Sequence, residues 1–239
     1  MAGTLSGKSV LIAGGTGGLG KAVSLSFLKE AARVSVSYRN PDELTSLIKD
    51  AGRDAASLKG YQVDVTDDAS VHRFAEGIVA DTGRIDVLVN CVGAYAGGIP
   101  LWQTEPKVFD RMLDLNLRSG YLLCRAVVPV MLKQQSGAIV NVSSKTAFDH
   151  GAGASAYAAS KAAAVAMLDS LAADLKGTGV RANSILPSII DTDVNRKAMP
   201  GADFSKWPKP EDIAHVILFL CSEDSKLVHG AAIPVYGDS

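Results

Sequence analysis

Stretches that read as strand and as helix alternate along the whole chain, and that order predicts an α/β fold. Two further observations sharpen the expectation. Several strand-like runs, such as SVLIA after Lys8 and VLV after Asp86, are almost continuously apolar, as in strands covered on both faces. Gly14, Arg39, Asp64, Asn90, Ser144 and Pro187 all fall at predicted strand ends, the edge where an open parallel sheet binds its ligands. The predicted architecture is one domain over residues 1–239, a doubly wound parallel sheet with right-handed crossover helices on both faces.

The elements follow in order. Residues 8–13 read as the first strand, GGTGGLG as a turn, and 21–31 as a helix. RVSVSY at 33–38 alternates with period two and is the second strand. A polar-faced helix over 41–51 opens on Pro41, suited to a first helical turn. Residues 58–65 read as the third strand, followed by an amphipathic helix to about Thr82 and a buried strand over 85–89. A long helical pattern spans 105–132; Asn116 interrupts it, and if buried it needs partners or a purpose. A strand at 138–142, a helix from Ser155 to about Lys176 and a strand at 180–186 come next. A loop rich in Pro, Asp and Lys runs to Pro210, then a helix over 211–221 and a strand over 231–235 complete the chain.

Composition excludes several classes. The 24 basic and 25 acidic residues leave a net charge of −1, so nothing electrostatic favours nucleic acid, and no polybasic run seeks an acidic membrane. Cys91, Cys124 and Cys221 show no metal-ligand spacing, which predicts no metal and three free thiols in a reducing compartment. No signal-peptide core opens the sequence, and no apolar run approaches the ~20 residues of a membrane span. A cytoplasmic protein is the expectation.

The chemistry concentrates in VSSKTAFDHGAGASAYAASK, residues 142–161. Tyr157 and Lys161 lie four apart on a predicted helix and share a face. An ammonium beside a phenol is expected to lower the phenol pKa from about 10. Ser144 stands at the preceding strand end and can bring a hydroxyl to the same point. Alone, such a pair is common on helices whose lysine is merely solvated; its neighbours give it weight.

Gly14, Gly18 and Gly20 fit a strand–turn–helix whose backbone approaches a ligand closely, with a pyrophosphate seated on the helix N-terminus. Gly15-x4-Gly20-Lys21 nearly makes a triphosphate P-loop, but Ala22 stands where a hydroxyl should bind Mg²⁺. At the end of the second strand the chain has Tyr38-Arg39-Asn40 in place of an acid for a ribose 2′-OH. A guanidinium suits a 2′-phosphate, so NADP(H) is expected over NAD; otherwise Arg39 is a solvated strand-end residue.

Taken together, these segments resemble the short-chain dehydrogenase/reductase family over essentially the whole length. Gly14-x3-Gly18-x-Gly20, Asp64-Val65, Asn90-Cys91-Val92-Gly93 and the run from Pro187 to Thr192 are similar to its cofactor-contacting segments. Asn116, Ser144, Tyr157 and Lys161 match its catalytic tetrad. The resemblance implies a Rossmann-type fold and a cofactor site of Gly14, Thr16, Gly17, Gly18, Leu19, Gly20, Arg39, Asn40, Asp64, Val65, Asn90, Cys91, Val92, Gly93, Tyr157, Lys161, Pro187, Ile190 and Thr192. It implies hydride transfer between nicotinamide and a carbonyl or secondary alcohol, reduction favoured, with Tyr157 as general acid/base. Lys161 would hold the nicotinamide ribose, Ser144 the substrate oxygen, and Asn116 a water leading from Lys161 to solvent.

Ala13, Cys91, Val92 and Ser188 depart from the family pattern, and they touch local geometry rather than the tetrad. Within the family, 3-oxoacyl-(acyl-carrier-protein) reductases resemble the chain. Their carrier-binding basic pair falls here on Gln135 and Thr178, which favours a free small molecule as substrate. Tyr95 to Gly98, Phe148 to His150 and the loop with Met199, Phe204 and Trp207 are the expected pocket walls. The apolar faces of the two long helices, with the family resemblance, imply a homodimer or homotetramer. Two alternatives stay open: a catalytically silent dinucleotide sensor or scaffold, and, less favoured, a P-loop NTPase.

Overall fold

In the computed structural model, which describes residues 5–238, seven parallel strands form one sheet in the order β3-β2-β1-β4-β5-β6-β7. The strands are β1 (Ser9–Ala13), β2 (Arg33–Tyr38), β3 (Leu58–Gln62), β4 (Val87–Asn90), β5 (Gly137–Val142), β6 (Val180–Pro187) and β7 (Ala232–Val235). The order reverses between β1 and β4, so the loops after these two strands diverge and open a crevice at the carboxyl edge.

Alternation along each strand sends side chains to opposite faces. Val10, Ile12, Val34, Val36, Val87 and Val140 pack under α1 (Gly18–Lys29), α2 (Pro41–Ala51) and α8 (Pro210–Cys221), with Phe27, Leu47 and Ile217 filling that layer. Leu11, Leu88, Ile139 and Ala182 face α3 (Asp68–Thr82), α5 (Ser119–Gln134) and α6 (Ser155–Asp174), against Phe74, Ile78, Leu123, Met131 and Leu168. The remaining helices are α4 (Pro106–Leu113) and α7 (Asp193–Ala198). Asn40 caps α2 by accepting from the Asp42 N–H at 3.0 Å, and Asp67 caps α3 by accepting from Ser70 N–H at 2.7 Å.

Four expectations need correction. The helix after the glycine run begins at Gly18, not Lys21, because glycines of low helix propensity hide its first turn. The third strand stops at Gln62, not at residue 65; the Asp64 carboxylate accepts from Thr66 N–H at 2.9 Å and Oγ1 at 2.7 Å, turning the chain out of the sheet. The single long helix over 105–132 is instead α4, a π-helical turn at Asp114–Arg118, and α5. The stretch read as loop up to Pro210 holds α7, capped by Thr192 on Asn195 N–H, and a 3₁₀ turn at Phe204–Lys206.

Candidate active site

The glycine loop connects β1 to α1 under tight constraint. Gly14 has φ +70°, and a Cβ on Gly20 would lie 2.0 Å from the Gly14 carbonyl oxygen, so both positions require glycine. Gly17 precedes α1 without any side-chain cap, leaving the first-turn N–H groups without a capping side-chain acceptor. A Cβ on Gly17 would find nothing nearer than 3.6 Å, so the space above this helix end is open to a pyrophosphate. A Cβ on Gly18 would meet the Thr192 methyl at 2.9 Å, so the segment after β6 closes directly over the loop. The set fits a dinucleotide.

Other cofactor candidates divide by what their side chains do. Asn90 is 3 % exposed; its Oδ1 accepts from Val92 N–H at 3.1 Å and its Nδ2 donates to Asn141 Oδ1 at 2.9 Å. Its side chain is therefore spent on the sheet. Ala13, despite its missing hydroxyl, still ties this segment down, since its carbonyl accepts from Cys91 N–H at 3.0 Å. Burial pushes the Cys91 thiol up to about 12, with nearby Lys161 opposing, so it is no nucleophile. Arg39 is exposed beyond the end of β2, and Val65 is buried below the crevice. The Asp64 carboxyl lies below its usual range through the Thr66 bonds first and the Arg39 charge last. Pro187 ends β6, the Ser188 hydroxyl donates to the Tyr236 carbonyl at 2.6 Å, and the Ile190 carbonyl accepts from Asn195 Nδ2 at 2.8 Å.

Ser144, Tyr157, Lys161 and Asn116 come together at the carboxyl edge between β4, β5 and α6. The Ser144 hydroxyl, which accepts from Thr146 N–H at 3.2 Å, stands near enough to the Tyr157 phenol to hold its pKa down. The Lys161 Nζ lies 6.0 Å from the Tyr157 ring centroid and donates to the Val142 carbonyl at 3.0 Å. Gly93 lies against both Lys161 and Asn116: a Cβ there would stand 3.1 Å from Lys161 Nζ and 3.0 Å from Asn116 Oδ1.

Asn116 is 2 % exposed and lies in the π turn, a local widening that often marks a functional site. Its Oδ1 accepts from Ala94 N–H at 2.9 Å, and its Nδ2 donates to the Ala94 carbonyl at 3.0 Å and to Ser160 Oγ at 2.9 Å. The Ser160 hydroxyl in turn donates to the Tyr157 carbonyl at 2.7 Å. Sequence reasoning missed Ser160; one hydroxyl in an alanine-rich helix, three residues after the tyrosine, was the available signal.

One electrostatic expectation fails. Burial pushes the Tyr157 phenol above its ordinary value; the Ser144 hydroxyl opposes this and the Tyr95 hydroxyl adds to it. The lysine is itself desolvated, at 5 % exposure, and its ammonium drops to about 8. Tyr95 packs edge-on against Tyr157 with ring centroids 5.0 Å apart, and Phe148 is exposed. His150 is an exposed rim residue whose Nδ1 lies 2.9 Å from the Thr146 carbonyl. Phe204 and Trp207 pack on each other at 4.9 Å, with Trp207 buried. Among the described residues, no group of three or more His, Cys, Asp or Glu side chains is placed to hold a metal, and no helix is long and apolar enough to cross a membrane.

Comparison with known proteins agrees with this geometry. Residues 8–203 match the family described as short chain dehydrogenase. The chain is 35 % identical to 3-oxoacyl-[acyl-carrier-protein] reductase FabG of Thermotoga maritima, covering 98 % of each chain. It is 33 % identical to D-threitol dehydrogenase of Mycolicibacterium smegmatis, over 98 % of this chain and 93 % of that one. Among solved structures, ElxO with NADP bound superposes with a TM-score of 0.91 at 29 % identity, covering 97 % of this chain and 98 % of the other.

Proposed function

The chain belongs to the short-chain dehydrogenase family, and from that premise we propose that it is an NADP(H)-dependent reductase of a small carbonyl compound, running in reverse on the secondary alcohol. The observation that carries this reading is the Lys161 amine, buried 6.0 Å from the Tyr157 ring centroid, with the Ser144 hydroxyl beside the same phenol.

When bound, the nicotinamide supplies or accepts the hydride. The N–H groups opening α1 would hold its pyrophosphate, Arg39 a 2′-phosphate, and Lys161 with the 187–192 segment the nicotinamide end. Tyr157 gives a proton to the oxygen of the reduced carbonyl. A phenol raised by burial stays protonated at neutral pH, which suits the reductive direction. Ser144 holds the reacting oxygen against the phenol, fixing its distance and angle. Asn116 and Ser160 tie the start of α6 to the 94 loop and keep the tyrosine in register.

The substrate is a free small molecule between Tyr95 and Phe148. Gln135 ends α5 in a left-handed conformation and the Thr178 hydroxyl donates to the Leu175 carbonyl at 2.7 Å, so neither offers a cation to an acidic carrier. One domain carries cofactor and substrate sites alike. An apolar groove of about 450 Å³ on the outer face of α5 and α6, lined by Tyr121, Val128, Met167 and Leu171, supports pairing of copies into a dimer or tetramer. The three buried or partly buried thiols support a reducing, cytoplasmic setting.

The test is a panel of ketones, aldehydes and secondary alcohols run with NADPH, NADH and ATP. Carbonyl-dependent loss of reduced-nicotinamide absorbance, faster with NADPH, is the expected result. Nicotinamide binding without turnover on any substrate points to a sensor; ATP hydrolysis removes the reading altogether.

A further inference from the structure

The Thr16 hydroxyl donates to Oε2 of Glu43 at 2.8 Å, bridging the glycine loop to the first turn of α2. Thr16 is 8 % exposed and is the one hydroxyl-bearing residue in the GGTGGLG run, whereas Glu43 is exposed. Its surroundings define the site. The Gly14 N–H donates to Ser37 Oγ at 2.9 Å, which holds the loop against the end of β2, and Arg39 follows two residues later. The other nearby cation, Lys21, is occupied by Asp50 at 2.5 Å and Ser46 at 2.9 Å. The corner that would receive the adenosine ribose thus holds the exposed Arg39 guanidinium, the Asp64 carboxylate on which its charge acts, and the Glu43 carboxylate that holds the loop hydroxyl.

We propose that Glu43 is a specificity-determining residue that works against a 2′-phosphate, offsetting part of the preference Arg39 confers. The proposal rests on the dinucleotide-dependent reading above. A hydroxyl has one proton to give. With that proton committed to Glu43, Thr16 presents only lone pairs to a ligand. A ribose 2′-OH can donate to them; a phosphate, which carries about −1.5 to −2 at neutral pH, cannot. To accept a phosphate, Thr16 must leave Glu43, and the released carboxylate then stands near a second anion.

The experiment measures Kd for NADPH and NADH on the full chain and on Glu43→Gln, Glu43→Ala and Asp42→Asn. Gln keeps an oxygen acceptor for Thr16 and removes the charge; Ala also frees the hydroxyl. Asp42 neighbours Glu43 in the same helical turn, so its variant controls for net charge. The NADPH preference, taken as the ratio of the two Kd values, should rise about fivefold in Glu43→Gln, further in Glu43→Ala, and less at high salt. An unchanged ratio in both Glu43 variants, or an equal rise in Asp42→Asn, overturns the proposal while leaving the enzyme reading standing. Failure of wild type to bind either dinucleotide removes both.

Discussion

Gly93 and Lys161 are in such close contact that a single methyl on the glycine would stand 3.1 Å from the ammonium nitrogen. The same methyl would meet Asn116 Oδ1 at 3.0 Å, so neither neighbour can move away without disturbing the other. Gly93→Ala is therefore expected to displace the amine from the Val142 carbonyl. We expect kcat to fall about tenfold while the melting temperature drops only a few degrees, roughly 1 kcal/mol. Steady-state kinetics beside a thermal melt check this; an unchanged kcat would contradict it.

Tyr157→Phe removes the proposed proton donor and leaves the ring packed against Tyr95. A fall in kcat of about 10²–10⁴ is expected, the usual size for loss of a general acid. Fluorescence titration with NADPH should give a wild-type Kd. Substantial retained turnover would remove Tyr157 from its assigned role.

Lys161 carries a consequence for both rate and stability. Its ammonium falls to about 8 through burial, so reductive kcat/KM should decline as pH rises through about 8. The folded value lies below the unfolded value of about 10.4. Burying this charge therefore costs stability fully below about pH 8, and the cost fades as pH rises towards 10.4. Lys161→Met should abolish turnover yet raise the melting temperature at pH 7 by about 2–6 °C, with the gain shrinking at high pH. A lower melting temperature across the whole pH range would show that the lysine stabilises the fold.

Arg39→Asp should shift the cofactor preference towards NAD, changing the NADP/NAD ratio of kcat/KM about tenfold or more. An unchanged ratio would place 2′-phosphate recognition elsewhere.

The fold was legible because its strands are continuously apolar and its glycines, Asn90 and Ser144 stand at strand ends. What stayed hidden has physical causes. The first turn of α1 is written in glycines, which propensity reads as loop. The π turn was visible only as one awkward residue, Asn116, since periodicity cannot separate a widened turn from a regular one over so few residues. The direction of the Tyr157 shift was misjudged because a spacing of four places two groups on one helical face without revealing how dry that face is. Ser160 and the Thr16–Glu43 bond depend on contacts that no local pattern encodes.

The π turn also fixes the phase of everything after it. One extra residue per turn rotates the following helix by about 100° relative to a regular continuation. Asn116 within it addresses the 94 loop and α6, while Leu122, Leu123 and Val127 beyond it address the sheet. Deleting one residue from this turn would force a choice between two misalignments: the amide swings out of reach of Ser160, or the leucines swing out of the core. The register of the Asn116–Ser160 contact and that of the core are thus set by a single local irregularity, and neither can drift without the other.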